Sequence, residues 1–242
     1  MILDMLENPL TNRILMKKIK VREAYGFWDH HCHGFSRPFR DLTASDVTPK
    51  IKQKLPAVLS KNLTSKKNRF CTKLTGWPRI GFLNEIFPDA KFIHIVRDGR
   101  AVTNSLINIG FWWGWQGPEN WRWGQLPQDY AEEWNKYNQS FIALAAIEWK
   151  MIMDAFEVAK QQVPGDRYIE IKYEELCENP LEVYRRAMDF AELPWTKKFE
   201  NQILSTSLVN SNSKWIKEFN SSQKDMLNDM LAGHLSKFNY TV

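Results

Sequence analysis

A β-branched apolar run from Phe92 to Val96 passes directly into a helix-patterned stretch, with Arg97 at the junction. The run is short enough for a strand of a covered sheet, and Ala101, Val102, Leu106 and Ile109 then recur at helical spacing. In an open α/β sheet, ligands collect outside the carboxyl ends of the strands. The guanidinium of Arg97 and the first free N–H groups of the helix therefore stand where one phosphate would bind. Ser105 lies two turns into the same helix. The competing reading is a solvated arginine at a helix start.

The flanking pattern points the same way. Arg69 to Leu74 predicts a strand and Gly81 to Phe87 a short helix, so Arg69 to Ile109 reads as β-α-β-α, the pattern of a parallel sheet. Tyr168 to Lys172 is a further alternating strand. Helices are predicted from Ile2 to about Ile19, from Phe141 to Val163, from Leu181 to Phe190 and from Ser221 to Phe238. Thr43 to Asn62 also reads as helical, with Thr43 or Ser45 as N-cap and Leu55, Leu59 and Leu63 on one face. Pro49 and Pro56 argue against it. Tyr25 to Asp41 reads as an irregular loop rich in aromatic residues and histidines, and Phe111 to Gln128 as a loop rich in Trp, Gly and Pro.

At 242 residues, with 43% hydrophobic and 25% charged residues, the chain is expected to fold as one domain over residues 1–242. The net charge of +5 suits a phosphate- or sulfate-bearing partner. The cations are scattered and no recognition motif accompanies them, so a nucleic-acid partner is not expected. Cys32, Cys71 and Cys177 form no paired framework and no metal spacing, which fits a reducing compartment and no metal. The first residues are acidic and no long apolar stretch follows. Neither a signal peptide nor a membrane anchor is expected, and a cytoplasmic location follows.

Arg97, Ser105 eight residues later and the lead-in Phe87-Pro88-Asp89-Ala90-Lys91-Phe92 together resemble the 3′-phosphate-binding segment of sulfotransferases that use 3′-phosphoadenosine 5′-phosphosulfate, PAPS. Two more segments fall in that family's order. Arg167 to Pro180 is similar to its strand followed by Tyr-Glu-Asp-Leu, an acid and a Pro, and Lys214-Trp215 precedes a last helix. The resemblance runs from about Phe70 to Tyr240. It implies a P-loop-like doubly wound parallel sheet flanked by helices, PAPS as sulfuryl donor, and a small-molecule or glycan acceptor offering a hydroxyl or amine. It also implies that Arg97 and Ser105 hold the 3′-phosphate, that Tyr173 packs near the adenine and that Lys214 helps close the nucleotide site. Lys73 stands where the family's Lys-Thr-His segment carries the lysine that touches the transferring sulfuryl. Lys73, Arg97 and Tyr173 are expected to meet at the carboxyl edge of the sheet. Where the small-molecule branch has Arg-Lys-Gly before the Trp, this chain has Leu208, Val209 and Asn210, so Lys214 alone keeps charge there.

Sulfuryl transfer is an in-line displacement, so the protein positions two substrates and neutralises charge on the transferring group. The base is harder to place. Thr75 occupies the position of the family's His, and its hydroxyl takes no proton at neutral pH. His31 and Glu23 are the candidates chosen from a set that also holds Asp29, His30 and His33. An imidazole with an unperturbed pKa near about 6.5 suits the task. Trp112, Trp113, Trp115, Trp121 and Trp123 suit either an acceptor wall for a sugar ring or apolar alcohol, or a plug in the core.

One departure is large. Gly76-Trp77-Pro78-Arg79-Ile80-Gly81 has two glycines but lacks the following Lys-Ser, and Pro78 removes an N–H from any cradle. It is no P-loop. The Met1 to Lys18 helix looks like the one that follows the family's phosphate loop. The chain is therefore expected to begin about 20–30 residues late, with the first strand missing. A relative that binds an adenosine phosphate or an anionic glycan without transfer is the alternative function.

Overall fold

Phe92–Val96 forms β1 and Tyr168–Lys172 forms β2. They pair in parallel with Phe92 opposite Tyr168 and Val96 opposite Lys172. In a computed structural model, the described residues are 23–36, 39–61, 63–65, 68–119, 121 and 124–241. Among them the elements run α1 (Tyr25–His31), α2 (Pro49–Ser60), α3 (Ile80–Ile86), β1, α4 (Gly99–Ile107), α5 (Gln128–Lys136), α6 (Phe141–Ala159), β2, α7 (Tyr173–Glu178), α8 (Pro180–Phe190), α9 (Lys197–Leu204), α10 (Lys214–Glu218) and α11 (Ser221–Lys237). The result is an α/β fold with helices around a small parallel sheet, the class expected.

The apolar stripe of α6 carries the larger core. Ala143 to Ile147 are fully buried, together with Trp149 and Met153. Helix α4 lies against α6 because Gly99 has no side chain. A Cβ there would stand 2.6 Å from the Trp149 ring. Leu227, Leu231 and Leu235 of α11 close the same core, and Val96 of β1 joins it, so the strand end and α4 are fixed from below. A second cluster gathers Trp28, Cys32 and Phe35 with Leu55, Leu59, Phe82 and Ile86.

Several expectations shift. Tyr25 to Asp41 is not all loop: Trp28 and Phe35, stacked at 4.7 Å, bury α1 in the second cluster. Tertiary burial there overrides weak local helix preference. Thr43 caps a 3₁₀ turn, Ala44–Asp46, by a capping box with Asp46. Helix α2 instead starts at Thr48, whose side chain accepts from the Ile51 N–H, with Pro49 preset at its first position. Leu55 and Leu59 are buried as expected, while Leu63 falls beyond the helix and is exposed. Arg69 to Leu74 forms no strand, and among the described residues no strand pairs with it. Arg69 is held instead by the Ala191 carbonyl. The helix expected over Ile2 to Ile19 lies outside the described residues.

Candidate functional site

Val96 and Lys172 are register partners, so the next residues, Arg97 and Tyr173, emerge side by side at the carboxyl ends of the two strands. The Arg97 guanidinium lies 4.6 Å from the centre of the Tyr173 ring. Arg97 Nε donates to Asn212 Oδ1 at 2.7 Å and Nη2 to Ser211 Oγ at 3.1 Å. Asn212 Nδ2 donates in turn to Glu174, which also accepts from the Asp98 N–H at 3.1 Å and the Tyr240 hydroxyl at 2.9 Å. The Tyr173 hydroxyl donates to the Val209 carbonyl at 3.0 Å. Two bonds use only part of a guanidinium with five N–H donors, so Arg97 keeps capacity for an anion.

A cavity of about 410 Å³ opens beside that arginine, lined by Arg97, Ala101, Asn104, Ser105, Asn108, Ile109, Ser211, Lys214 and Glu218. Three of the residues chosen from sequence, Arg97, Ser105 and Lys214, thus share one cavity, and Tyr173 backs the first of them. The cavity opens on the flank of α4. Its N-terminus is already occupied: Asp98 caps the helix, accepting from the Arg100 N–H at 2.9 Å, and pairs with the Arg100 guanidinium at 2.8 Å. Arg100 also donates to Asn228 Oδ1 at 3.0 Å and to the Thr241 carbonyl at 2.7 Å, and covers the Trp215 ring at 4.8 Å. The C-terminal segment is fastened to α4 by these contacts.

The remaining candidates stand apart from this cavity. Lys73 pairs with Glu23 at 2.8 Å, and its side chain is 71% exposed. The Lys73 ammonium, by hydrogen bond, holds the Glu23 carboxyl below the usual carboxylate range. Tyr25 anchors α1 to the same segment through a 3.0 Å bond from its hydroxyl to the Thr75 carbonyl. His31 lies at the other end of α1, about 9 Å further along the axis at about 1.5 Å per residue. Desolvation, with His30 beside it, lowers the His31 pKa. Its Nδ1 is buried without a hydrogen-bond partner among the described residues. Lys73 and Glu23 meet, His31 does not join them, and none of the three lines the cavity beside Arg97.

The Trp-rich loop divides. Trp112 is buried, donating from Nε1 to Glu148 at 2.7 Å, and Trp121 is buried on the Gly124 carbonyl. Phe111, Trp113 and Trp115 are exposed, while Trp123 lies outside the described residues. The lining residues Asn104, Asn108, Ser211 and Glu218 escaped the sequence reading. For the first two a signal existed: Asn104 and Asn108 stand four residues apart with Ser105 next to the first, a polar patch on one side of the helix. Ser211 and Glu218 reach the cavity from more than a hundred residues away, with no local pattern.

Residues 20–197 match the sulfotransferase family. A protein-tyrosine sulfotransferase of Drosophila melanogaster is 26% identical over 133 residues, which is 52% of this chain and 21% of that protein. Protein-tyrosine sulfotransferase A of Caenorhabditis elegans is 30% identical over 122 residues, 48% of this chain and 25% of that protein. The matched stretches therefore span a quarter or less of those relatives' own length. A solved sulfotransferase domain from the curacin biosynthetic pathway shares the fold, with a TM-score of 0.50 at 13% identity, covering 79% of this chain and 69% of that one.

Proposed function

The chain belongs to the sulfotransferase family, and from that premise we propose that it moves a sulfuryl group from PAPS to a hydroxyl or amine acceptor. The observation that carries the reading is the convergence of Arg97, Ser105 and Lys214 on one cavity at the carboxyl end of β1. Two cations and a hydroxyl suit a phosphate dianion, and the Arg97 fork offers it paired N–H donors. Tyr173, held by Arg97 on one side and the Val209 carbonyl on the other, presents an aromatic surface of the kind a purine ring stacks on.

PAPS, when bound, would supply the sulfuryl group: the acceptor oxygen or nitrogen bonds to its sulfur while the bond to the 5′-phosphate breaks, and adenosine 3′,5′-bisphosphate leaves. Arg97, Ser105 and Lys214 orient the donor by its 3′-phosphate. Lys73 supplies positive charge to the transferring group once it leaves Glu23, and that carboxylate, unprotonated at neutral pH, is then free to take the acceptor proton. His31, whose pKa is lowered by desolvation and by His30 beside it, is the second candidate base. The relatives' names single out a tyrosine phenol, and we extend that acceptor class to this chain alongside sugar hydroxyls. The exposed faces of Trp113 and Trp115 suit either ring. A small-molecule or glycan acceptor, a cytoplasmic location and a single domain belong to the same proposal. Among the described residues no helix is long and apolar enough to cross a membrane.

The test is transfer of label from ³⁵S-PAPS to a panel of tyrosine peptides, phenols, sugars and amines. Transfer to one class, abolished in Lys73→Ala with nucleotide affinity retained, is the expected result. Tight nucleotide binding without transfer to any acceptor would favour the binding-only alternative.

A further inference from the structure

The cavity beside Arg97 carries both signs of charge. Arg97 and Lys214 line it, and so does Glu218, although a carboxylate repels a phosphate. Glu218 is not loosely placed. Its Oε2 accepts from Asn104 Nδ2 at 2.6 Å, and Asn104 is only 5% exposed on the packed face of α4. Asn104 is itself engaged by Asn108, which donates to its carbonyl at 2.8 Å. One carboxylate oxygen is therefore held by a buried amide, and Asn108 bonds the main-chain carbonyl of the same residue.

An ionised carboxylate accepts hydrogen bonds and donates none, and one bond to Asn104 leaves its other oxygen open. The ligand group it faces must bring a donor. Lys214 and Glu218 are four residues apart on α10, so their side chains neighbour each other, roughly 5–6 Å between Cβ atoms. Lys214 forms no ion pair among the described residues, so its charge stays available to an anion. A ligand that satisfies both ends carries an anionic group and a donor on adjacent atoms. The cavity volume lies in the range of small organic ligands and exceeds what a single phosphate needs.

Resting on the reading of this cavity as the nucleotide-phosphate site, we propose that Glu218 accepts a hydrogen bond from the ribose hydroxyl adjacent to the bound phosphate. The site then selects a ribose phosphate over a deoxyribose phosphate. In adenosine 3′,5′-bisphosphate that donor is the 2′-hydroxyl. Arg97 and Lys214 neutralise the phosphate, and Glu218 converts affinity for any anion into preference for one that carries a vicinal hydroxyl, because a partner lacking it leaves the carboxylate unsatisfied beside a dianion.

The experiment is titration calorimetry of the full chain with adenosine 3′,5′-bisphosphate and with its 2′-deoxy counterpart, for the wild type, Glu218→Gln and Glu218→Ala, at one salt concentration. The wild type is expected to bind the ribo form about tenfold more tightly, the size of one hydrogen bond to a charged acceptor. Glu218→Ala is expected to bring the two within about twofold, mainly by tightening the deoxy form. Glu218→Gln, which retains an acceptor, should fall between. Thermal melts of both variants, each expected to keep one cooperative transition well above the titration temperature, exclude misfolding as the cause. Equal affinities in the wild type, or an unchanged ratio in Glu218→Ala, would overturn the assignment while leaving the nucleotide site standing. If neither nucleotide bound the wild type, both the assignment and the nucleotide site would be overturned.

Discussion

Arg97 and Tyr173 lie 76 positions apart in the chain and in stacking contact, 4.6 Å from guanidinium to ring centre. Parallel pairing of β1 with β2 in a register that matches Val96 to Lys172 brings them together. Neither strand alone would form this corner. The register supplies it, and the cavity is built outward from it by α4 on one side and the Ser211-to-Glu218 stretch on the other.

If Arg97 holds the phosphate as proposed, replacing it with Ala removes a charge-assisted pair of donors. The cost is expected to be roughly 1.5–3 kcal/mol, one to two decades in affinity for adenosine 3′,5′-bisphosphate. Ser105→Ala, which removes a neutral hydroxyl, should cost less, about 0.5–1.5 kcal/mol. Calorimetry on the two variants decides the order. Unchanged affinity in the arginine variant would place the phosphate elsewhere.

What was legible beforehand tracks how local the signal is. β1, β2 and the helix beginning at Gly99 are declared by contiguous periodicity, and the spacing from Arg97 to Ser105 lies within that one unit. Helix α1 was not legible, because Tyr25 to His31 has weak helix preference and owes its form to Trp28 packing on Phe35. Arg69 to Leu74 misled for the converse reason: its composition suits a strand, but a strand exists only with a partner. Of the cavity, the polar patch of α4 was readable and Glu218 was not, since the Asn104 contact that holds it spans the chain.

Gly99→Ala tests the close approach of α4 to α6. The added methyl would stand 2.6 Å from the Trp149 ring, on which Gly99 now rests. A ring packed in the larger core cannot yield freely, so the helix must shift. Overpacking of this kind costs about 1–3 kcal/mol, visible as a lower Tm. Because α4 carries Ser105 and Asn104, nucleotide affinity should fall with it. A variant as stable as the wild type would mean that Trp149 has room to move.

Asp46 provides a pH-dependent term. Its carboxylate takes both prongs of the Arg40 fork, at 2.8 and 2.6 Å, and the Thr43 N–H at 2.8 Å. The Arg40 bonds hold it at about 2. Since the folded value is depressed below the unfolded one, the contribution is full above about pH 4 and is lost as pH falls through about 2. With Arg40 largely exposed, solvent screens the pair, and Asp46→Asn is expected to cost about 1 kcal/mol or less at neutral pH. The stability difference between Asp46→Asn and the wild type should shrink as urea titrations move from pH 4 to pH 2. A constant difference would remove Asp46 as the source.

Arg100 is the pin between α4 and the C-terminal segment. Its guanidinium pairs with Asp98, each side chain only 10% exposed, and reaches Asn228 and the Thr241 carbonyl. A buried pair is costly to break from one side because the remaining charge loses its partner while staying out of water. Arg100→Ala should therefore cost about 3–5 kcal/mol, a fall of at least about 6 °C in Tm at the usual 2–4 °C per kcal/mol for a chain of this size. Arg100→Lys keeps the charge but not the fork, so it should recover part of that loss. The double variant Asp98→Asn with Arg100→Ala should be less destabilised than the sum of its two single changes, because no unpaired charge remains. Additive losses in that cycle would show that Asp98 and Arg100 act separately, Asp98 as a helix cap alone.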